Sequence, residues 1–314
     1  MKPHAVYAYG VISSSTLYSL RGAFPAVEGY AEIDDVLRLT GGEATHSSIV
    51  LSRLGVQVKL DGNWLGADEN GERTRTLISD YEIDTSRLLL KTEYEGVQEV
   101  VFSAEGTRTI FGTYGRLLEE AAWNLPNESD ITSSRVVCLD PFFAGPALRV
   151  AKIASSADIP VVTVDCRYDD ALLGHASATV ISESYIRENY PHRNLKNLFR
   201  DYQAASMGLT VFTFGDAPAW YARPDDSVRY CPPYPIVPVD TTGGGDSFRA
   251  GVVYGFLQGW NDARTIDFAA ALAGINCTRF PGVLNSPTLD EVSGFIDAAH
   301  RNGRQAQSAS NLEI

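Results

Sequence analysis

Asp240-Thr241-Thr242-Gly243-Gly244-Gly245-Asp246 sets three consecutive glycines between two carboxylates. Behind them Phe248, Val252, Phe256 and Trp260 recur at helical spacing, and before them residues 235–239 read as a Pro-punctuated β-like run. A strand that turns through glycines into a helix N-terminus offers backbone N–H groups with no Cβ in the way. With the positive end of the helix dipole, that arrangement suits a phosphate or a developing negative charge. Asp246 then falls at the helix start, beside the anion site, where a carboxylate can take the proton of an incoming hydroxyl. A tight strand–helix turn with no ligand is the plain alternative.

Such a loop needs a sheet to hold it. Residues 5–12 are apolar and β-prone and are expected as a first, central strand. The hydroxyl run Ser13-Ser14-Ser15-Thr16 then falls at its C-terminal end, as a polar turn on the side where open α/β sheets bind ligands. Gly41-Gly42-Glu43-Ala44-Thr45-His46 opens a helix with Thr45 as N-cap and Ile49, Val50 and Leu54 on its apolar face. Further strands are expected at 56–60, 135–139, 160–165, 178–181 and 209–214, separated by helical segments at 71–81, 146–155, 169–173, 184–190 and 195–207. Short apolar runs alternating with helices predict a doubly wound, mostly parallel α/β sheet. Residues 220–230 read as a small hairpin, and 263–277 and 289–299 as the last helices. Residues 17–39 and 96–112 are β-prone without helical neighbours, so they read as one small sheet inserted twice. Asp140 and Asp165 fall at strand C-termini, and Arg108 and Arg167 are the cations to watch if a substrate is anionic.

At 314 residues the chain can bury a large core. Its net charge of −13 argues against nucleic acid or an anionic membrane as main partner, since both select clustered Lys and Arg. The four cysteines are scattered and form no zinc pattern, and no apolar run reaches membrane-span length. A cytoplasmic protein with reduced thiols is expected. Residues 301–314 are polar and aperiodic and read as a loose tail.

The stretch 240–253 resembles the C-terminal signature of the ribokinase-like (PfkB-type) carbohydrate kinases, Asp-Thr-x-Gly-[Ala/Gly]-Gly-Asp followed by Ala-Gly. The resemblance runs in motif order from about residue 5 to 299. It implies ATP-dependent phosphorylation of a hydroxymethyl group on a sugar or sugar-derived small molecule. Asp246 would be the base, and the N–H groups from Gly243 through Gly244 and Gly245 to Asp246 the anion hole. Gly41, Gly42 and His46 resemble a second family signature in which an Asn stands at position 46, and these three would touch the sugar. The family's Asn-x-Asp on the first strand falls at Ser13 and Ser15, both departures from the pattern. Thr213 and Gly215 resemble a turn beside the nucleotide, and with Thr241, Asn276 and Gly282 they would line its site. The family's Asn-x-x-Glu, which helps hold Mg²⁺, is replaced here by Ser182 and Tyr185, so Glu183 is the candidate in its place. Asp240 and Thr242 would lie near a monovalent cation such as K⁺. The kinase body would comprise 1–16, 40–95 and 113–300, and the inserted sheet, 17–39 and 96–112, would be a lid over the sugar and the contact of a homodimer. A nucleoside kinase of the same superfamily and a non-catalytic sugar- or nucleotide-sensing protein remain open alternatives.

Overall fold

A computed structural model describes residues 4–105 and 107–301. The expected tail lies outside the described residues, apart from Arg301. In chain order the elements are β1 (Val6–Gly10), β2 (Ser13–Arg21), β3 (Glu32–Gly41), α1 (Glu43–Arg53), β4 (Val58–Gly62), β5 (Leu65–Gly66) and α2 (Glu69–Asp80). They continue with β6 (Leu90–Lys91), β7 (Val97–Ala104), β8 (Thr107–Gly112), α3 (Gly115–Glu119), α4 (Glu128–Thr132), β9 (Val136–Leu139) and α5 (Gly145–Ser156). The C-terminal half holds β10 (Val161–Val164), β11 (Ala178–Ser182), α6 (Glu183–Asn189), α7 (Leu195–Ala205), β12 (Leu209–Phe214), β13 (Ala217–Ala222), β14 (Arg229–Cys231), α8 (Gly244–Leu257), α9 (Asp262–Cys277) and α10 (Leu289–Arg301).

Eight strands form one sheet in the order β14-β13-β12-β11-β10-β9-β1-β4. The six from β12 to β4 pair in parallel, and β13 and β14 close the far edge antiparallel. Strand β1 therefore lies one place from the edge rather than at the centre. Its alternation explains the three layers. Val6 and Ala8 pack with Ile49, Phe248 and Ile266 from α1, α8 and α9, while Tyr7 and Tyr9 pack with Leu117, Ile131 and Ala147 on the opposite face. Helices α6 and α7 cover the β11–β12 end through Ile186, Leu198 and Phe199. Close approach is built in at Gly251, where a Cβ would stand 2.5 Å from the Ala269 Cα of α9.

A second sheet, β3-β2-β7-β8, stands apart from the first. Strands β2 and β3, like β7 and β8, pair antiparallel, and β2 and β7 join the two hairpins in parallel. The hydroxyl run 13–16 is thus not a turn at the end of β1 but the start of β2, with Ser13 opposite Gly41 and Ser15 opposite Leu39. The expected strand at 235–239 is also absent. Pro232, Pro233, Pro235 and Pro238 supply no N–H for a ladder, and 232–238 run as irregular chain. The expected helix at 169–173 is a short 3₁₀ turn, Ala171–His175. Thr45 does not cap α1: the N-cap is Gly42, and Thr45 Oγ1 donates to the Val11 carbonyl from inside the helix.

Gly42 has φ +97°, and a Cβ there would stand 2.1 Å from the Val11 carbonyl oxygen. Gly42→Ala therefore meets both backbone strain and a clash with main chain. It is expected to destabilise the fold by roughly 2 kcal/mol or more, read from the denaturant midpoint.

Candidate active site

The C-terminal ends of β1, β9, β10, β11 and β12 open into a cleft of about 610 Å³ roofed by the second sheet. Its floor includes the glycine loop. Gly243, at φ +72°, caps α8, and a Cβ on it would stand 2.0 Å from Val283 Cγ2. Gly244 donates its N–H to the Thr241 carbonyl at 3.2 Å. The anion hole expected from four consecutive N–H groups therefore reduces to three. The N–H groups of Gly243, Gly245 and Asp246 have no protein acceptor among the described residues. Gly245 lines the cleft, and the place its Cβ would take is open, so an anion can approach the helix end.

The loop is braced from below. Asp240 accepts from Thr242 N at 2.9 Å and from Gly282 N at 3.1 Å. Asn276, fully buried, donates to the Thr242 carbonyl at 3.3 Å and accepts from Ser286 Oγ at 3.1 Å. Thr241, Asn276, Gly282 and Asp240 are thus supports of the loop and do not line the cleft, whereas Thr242, Thr213, Gly215 and Glu183 do. Arg108, on β8 of the small sheet, donates to Thr242 Oγ1 at 3.2 Å, so one guanidinium links the roof to the loop. The other candidate cation, Arg167, is exposed and pairs with Asp169 at 2.8 Å.

Asp246 stands in the first turn of α8, with its side chain 17% exposed. His46 Nδ1 lies 2.9 Å from its Oδ2. Arg249, one turn on, brings Nη2 to 3.9 Å from its Oδ1. Arg249 is wholly buried: Nη1 donates to Asp140 Oδ1 at 2.5 Å and Nε to Ser47 Oγ at 2.9 Å, and Nη2 has no hydrogen-bond partner among the described residues. Burial raises the Asp140 carboxyl above its ordinary value, against the pull of Arg249 and the Val11 N–H. Its hydrogen bonds, including 2.9 Å from Val11 N and 3.0 Å from Ala44 N, favour the charged form. Gly10 makes room for it, since a Cβ there would stand 2.0 Å from Asp140 Oδ2. Asp165 takes Ser182 N at 2.7 Å and Ser182 Oγ at 2.8 Å, and burial raises its pKa.

The residues expected at a sugar divide. Ser15, Gly41, Gly42 and His46 line the cleft; Ser13 is buried beneath it, and its Oγ has no hydrogen-bond partner among the described residues. His46 has both ring nitrogens engaged, the second 3.0 Å from the Thr40 carbonyl. Two carboxylates that the motifs did not single out face the same end. Glu99, on β7 opposite Ser15, accepts from the Tyr114 hydroxyl through Oε1, and Glu43 opens α1. Only the Glu99 Oε2 side is left for a ligand, and it lies where a Cβ on Gly41 would be, 2.1 Å away. The sequence held a hint of Arg249, a charge inside an otherwise apolar helix. It held none of Glu99, whose place depends on the pairing of β2 with β7.

A carboxylate at a helix N-terminus, an open glycine loop and a roofed cleft suit phosphoryl transfer to a small molecule. The pfkB family carbohydrate kinase signature matches residues 22–289, and the chain belongs to that family. It is 25% identical over 281 residues to the ribokinase of Bacillus subtilis, covering 82% of this chain and 87% of that one. Among solved structures, the ribokinase of Arabidopsis thaliana complexed with ribose and ATP superposes with TM-score 0.78 at 16% identity, over 93% of this chain and 98% of the other. The Burkholderia thailandensis nucleoside kinase in complex with inosine does so at TM-score 0.75 and 15% identity, over 94% and 97%. The fold is ribokinase-like, and the chain is a carbohydrate kinase by family.

Proposed function

We propose that the protein transfers the terminal phosphoryl group of ATP to a hydroxymethyl group of a neutral, hydroxyl-rich sugar or sugar derivative. The observation that carries this reading is the meeting of Asp246 with the three free N–H groups of its own loop in one cleft. Asp246 accepts the hydroxyl proton, and Gly243, Gly245 and Asp246 N–H groups stabilise the charge on the transferring phosphoryl. Thr213, Gly215 and Glu183 bound the nucleotide end of the cleft. Among the described residues no three His, Cys, Asp or Glu side chains gather to hold a metal. That fits Mg²⁺ carried mainly by phosphates and water, with Glu183 as one protein contact, where the ion would neutralise phosphate charge. A K⁺ site at Asp240 and Thr242 would steady the loop, although two N–H groups already occupy the Asp240 carboxylate.

The acceptor end explains the preference for a neutral substrate. It offers the Glu99 carboxylate beside Asp246, so an acceptor bearing hydroxyl donors is matched and an anionic one is disfavoured there, while burial raises the Glu43 carboxyl well above its ordinary value and Arg108 stands on the roof. Residues 17–39 and 96–112 act as the lid of the kinase body. Tyr30, Ile33, Val36, Ile110 and Phe111 are exposed on that sheet or its connecting loop and support a homodimer formed through it. The thiols are free, three of the four are buried, and no described helix is long and apolar enough to cross a membrane, which supports a reducing, cytoplasmic setting.

A second reading, a nucleoside acceptor, is favoured by the apolar residues at the same end. Leu17, Val101, Ile110 and the Tyr114–Phe142 ring pair, 5.7 Å apart, could take a base. Phosphoryl transfer followed by ³¹P NMR across matched neutral sugars, nucleosides, sugar acids and sugar phosphates decides between them. Neutral acceptors are expected to exceed their anionic counterparts by about 100-fold in kcat/KM, and Glu99→Gln to narrow that gap about tenfold. Nucleotide binding with no acceptor phosphorylated would instead leave a sensing protein.

A further inference from the structure

His46 lies in the first turns of α1, and each of its ring nitrogens faces an oxygen that accepts. Nδ1 is 2.9 Å from Asp246 Oδ2 and Nε2 is 3.0 Å from the Thr40 carbonyl oxygen. A carbonyl oxygen and an ionised carboxylate have no proton to give, so both contacts are hydrogen bonds only when the ring carries both of its protons. With the ring 15% exposed, water has little room to replace either partner. The titratable groups around it are Asp246 and Arg249 from α8, Glu99 from β7, and Glu43 from its own helix, whose carboxyl burial raises well above its ordinary value. Burial opposes the charged ring, but the hydrogen bond and charge of Asp246, the Thr40 carbonyl and Glu99 outweigh it and raise its pKa above the ordinary histidine value. Asp246 Oδ1, by contrast, receives no hydrogen bond from the described residues, since Arg249 Nη2 stops 3.9 Å away.

We propose that His46 is a positioning residue for phosphoryl transfer: its imidazolium, anchored on the Thr40 carbonyl, pins Asp246 Oδ2 and leaves Oδ1 as the oxygen that takes the acceptor proton. The inference rests on the reading of Asp246 as base. In the step itself the acceptor O–H bond breaks, its proton goes to Oδ1, the O–P bond forms, and the bond to the leaving nucleotide oxygen breaks. His46 keeps its protons throughout. When it loses one, the remaining proton stays on Nδ1 in its charge-assisted bond to Asp246, and Nε2 turns a lone pair on the Thr40 carbonyl, so the anchor that fixes the ring is lost. Because the folded pKa is raised, the productive form persists past the ordinary histidine value and is lost as pH rises through the folded one.

Two measurements on the full chain test this. First, pH profiles of kcat/KM are compared for the native protein, His46→Gln and His46→Ala. The native profile is expected to fall about tenfold per pH unit on the alkaline side. His46→Gln, which supplies a donor that does not titrate, is expected to stay within about tenfold of native at neutral pH and to lack that limb. His46→Ala is expected to lose about 100-fold. A His46→Gln profile with the native alkaline limb overturns the proposal. Second, the ring of His46 is titrated by NMR with and without Asp246→Asn, which needs no turnover. Its pKa is expected to drop by at least one unit in that variant, and an unmoved titration overturns the pairing. Absence of transfer with every acceptor, alongside a ring that does respond, sinks the kinase reading and with it the proposed role, while the pairing itself stands.

Discussion

Asp246→Asn is expected to leave nucleotide binding intact and to lower kcat by about 10²–10⁴-fold, the range for loss of a positioned acid or base. The change keeps the side chain's shape, and the loop N–H groups that would meet the phosphates belong to the backbone, so the two effects separate. The loop is held by Asp240, Asn276 and the Thr241 carbonyl, none of which touches the Asp246 side chain. Nucleotide affinity by equilibrium titration and single-turnover transfer give the two readouts. A variant that transfers at the native rate would remove Asp246 from the role of base.

The second large effect concerns stability. Arg249→Met leaves Asp140 buried at the centre of the protein, with Val11 and Ala44 N–H groups but no cation. Breaking a buried pair from one side costs about 3–5 kcal/mol, because the remaining charge has no water to return to. The denaturant midpoint is expected to fall accordingly. Adding Asp140→Asn should recover part of the loss, since the two sites share one interaction. Arg249→Lys should recover little, because an ammonium cannot reach Asp140 and Ser47 together as the guanidinium does. A single variant as stable as the native protein would show that the pair contributes nothing.

What could be read in the sequence, and what could not, follows from the range of each interaction. The turn at Gly243 was legible because backbone geometry restricts which residues fit at φ +72°. The alternation of short apolar runs with helices was legible because burial imposes a period. The order of strands was not, and β1 sits beside the edge because pairing between distant segments leaves no local mark. The start of α1 was missed for the same reason. The N–H of Ala44 is taken by Asp140, 96 residues away, so no capping residue is needed nearby. His46 was legible as a residue of the site, but its bond to Asp246 spans 200 residues and only the fold reveals it. Glu99 enters the cleft through its register with Ser15, which depends on two separate insertions meeting.

That double insertion has a mechanical consequence. The chain passes between the large sheet and the roof four times, near residues 12, 42, 96 and 113. Gly42 and Gly96, at φ +97° and +73°, mark two of those passages. A plate tethered at four points cannot swing on one hinge or twist free. Any displacement of it would strain all four connections together, and Arg108 at its rim would carry that displacement to Thr242 of the glycine loop.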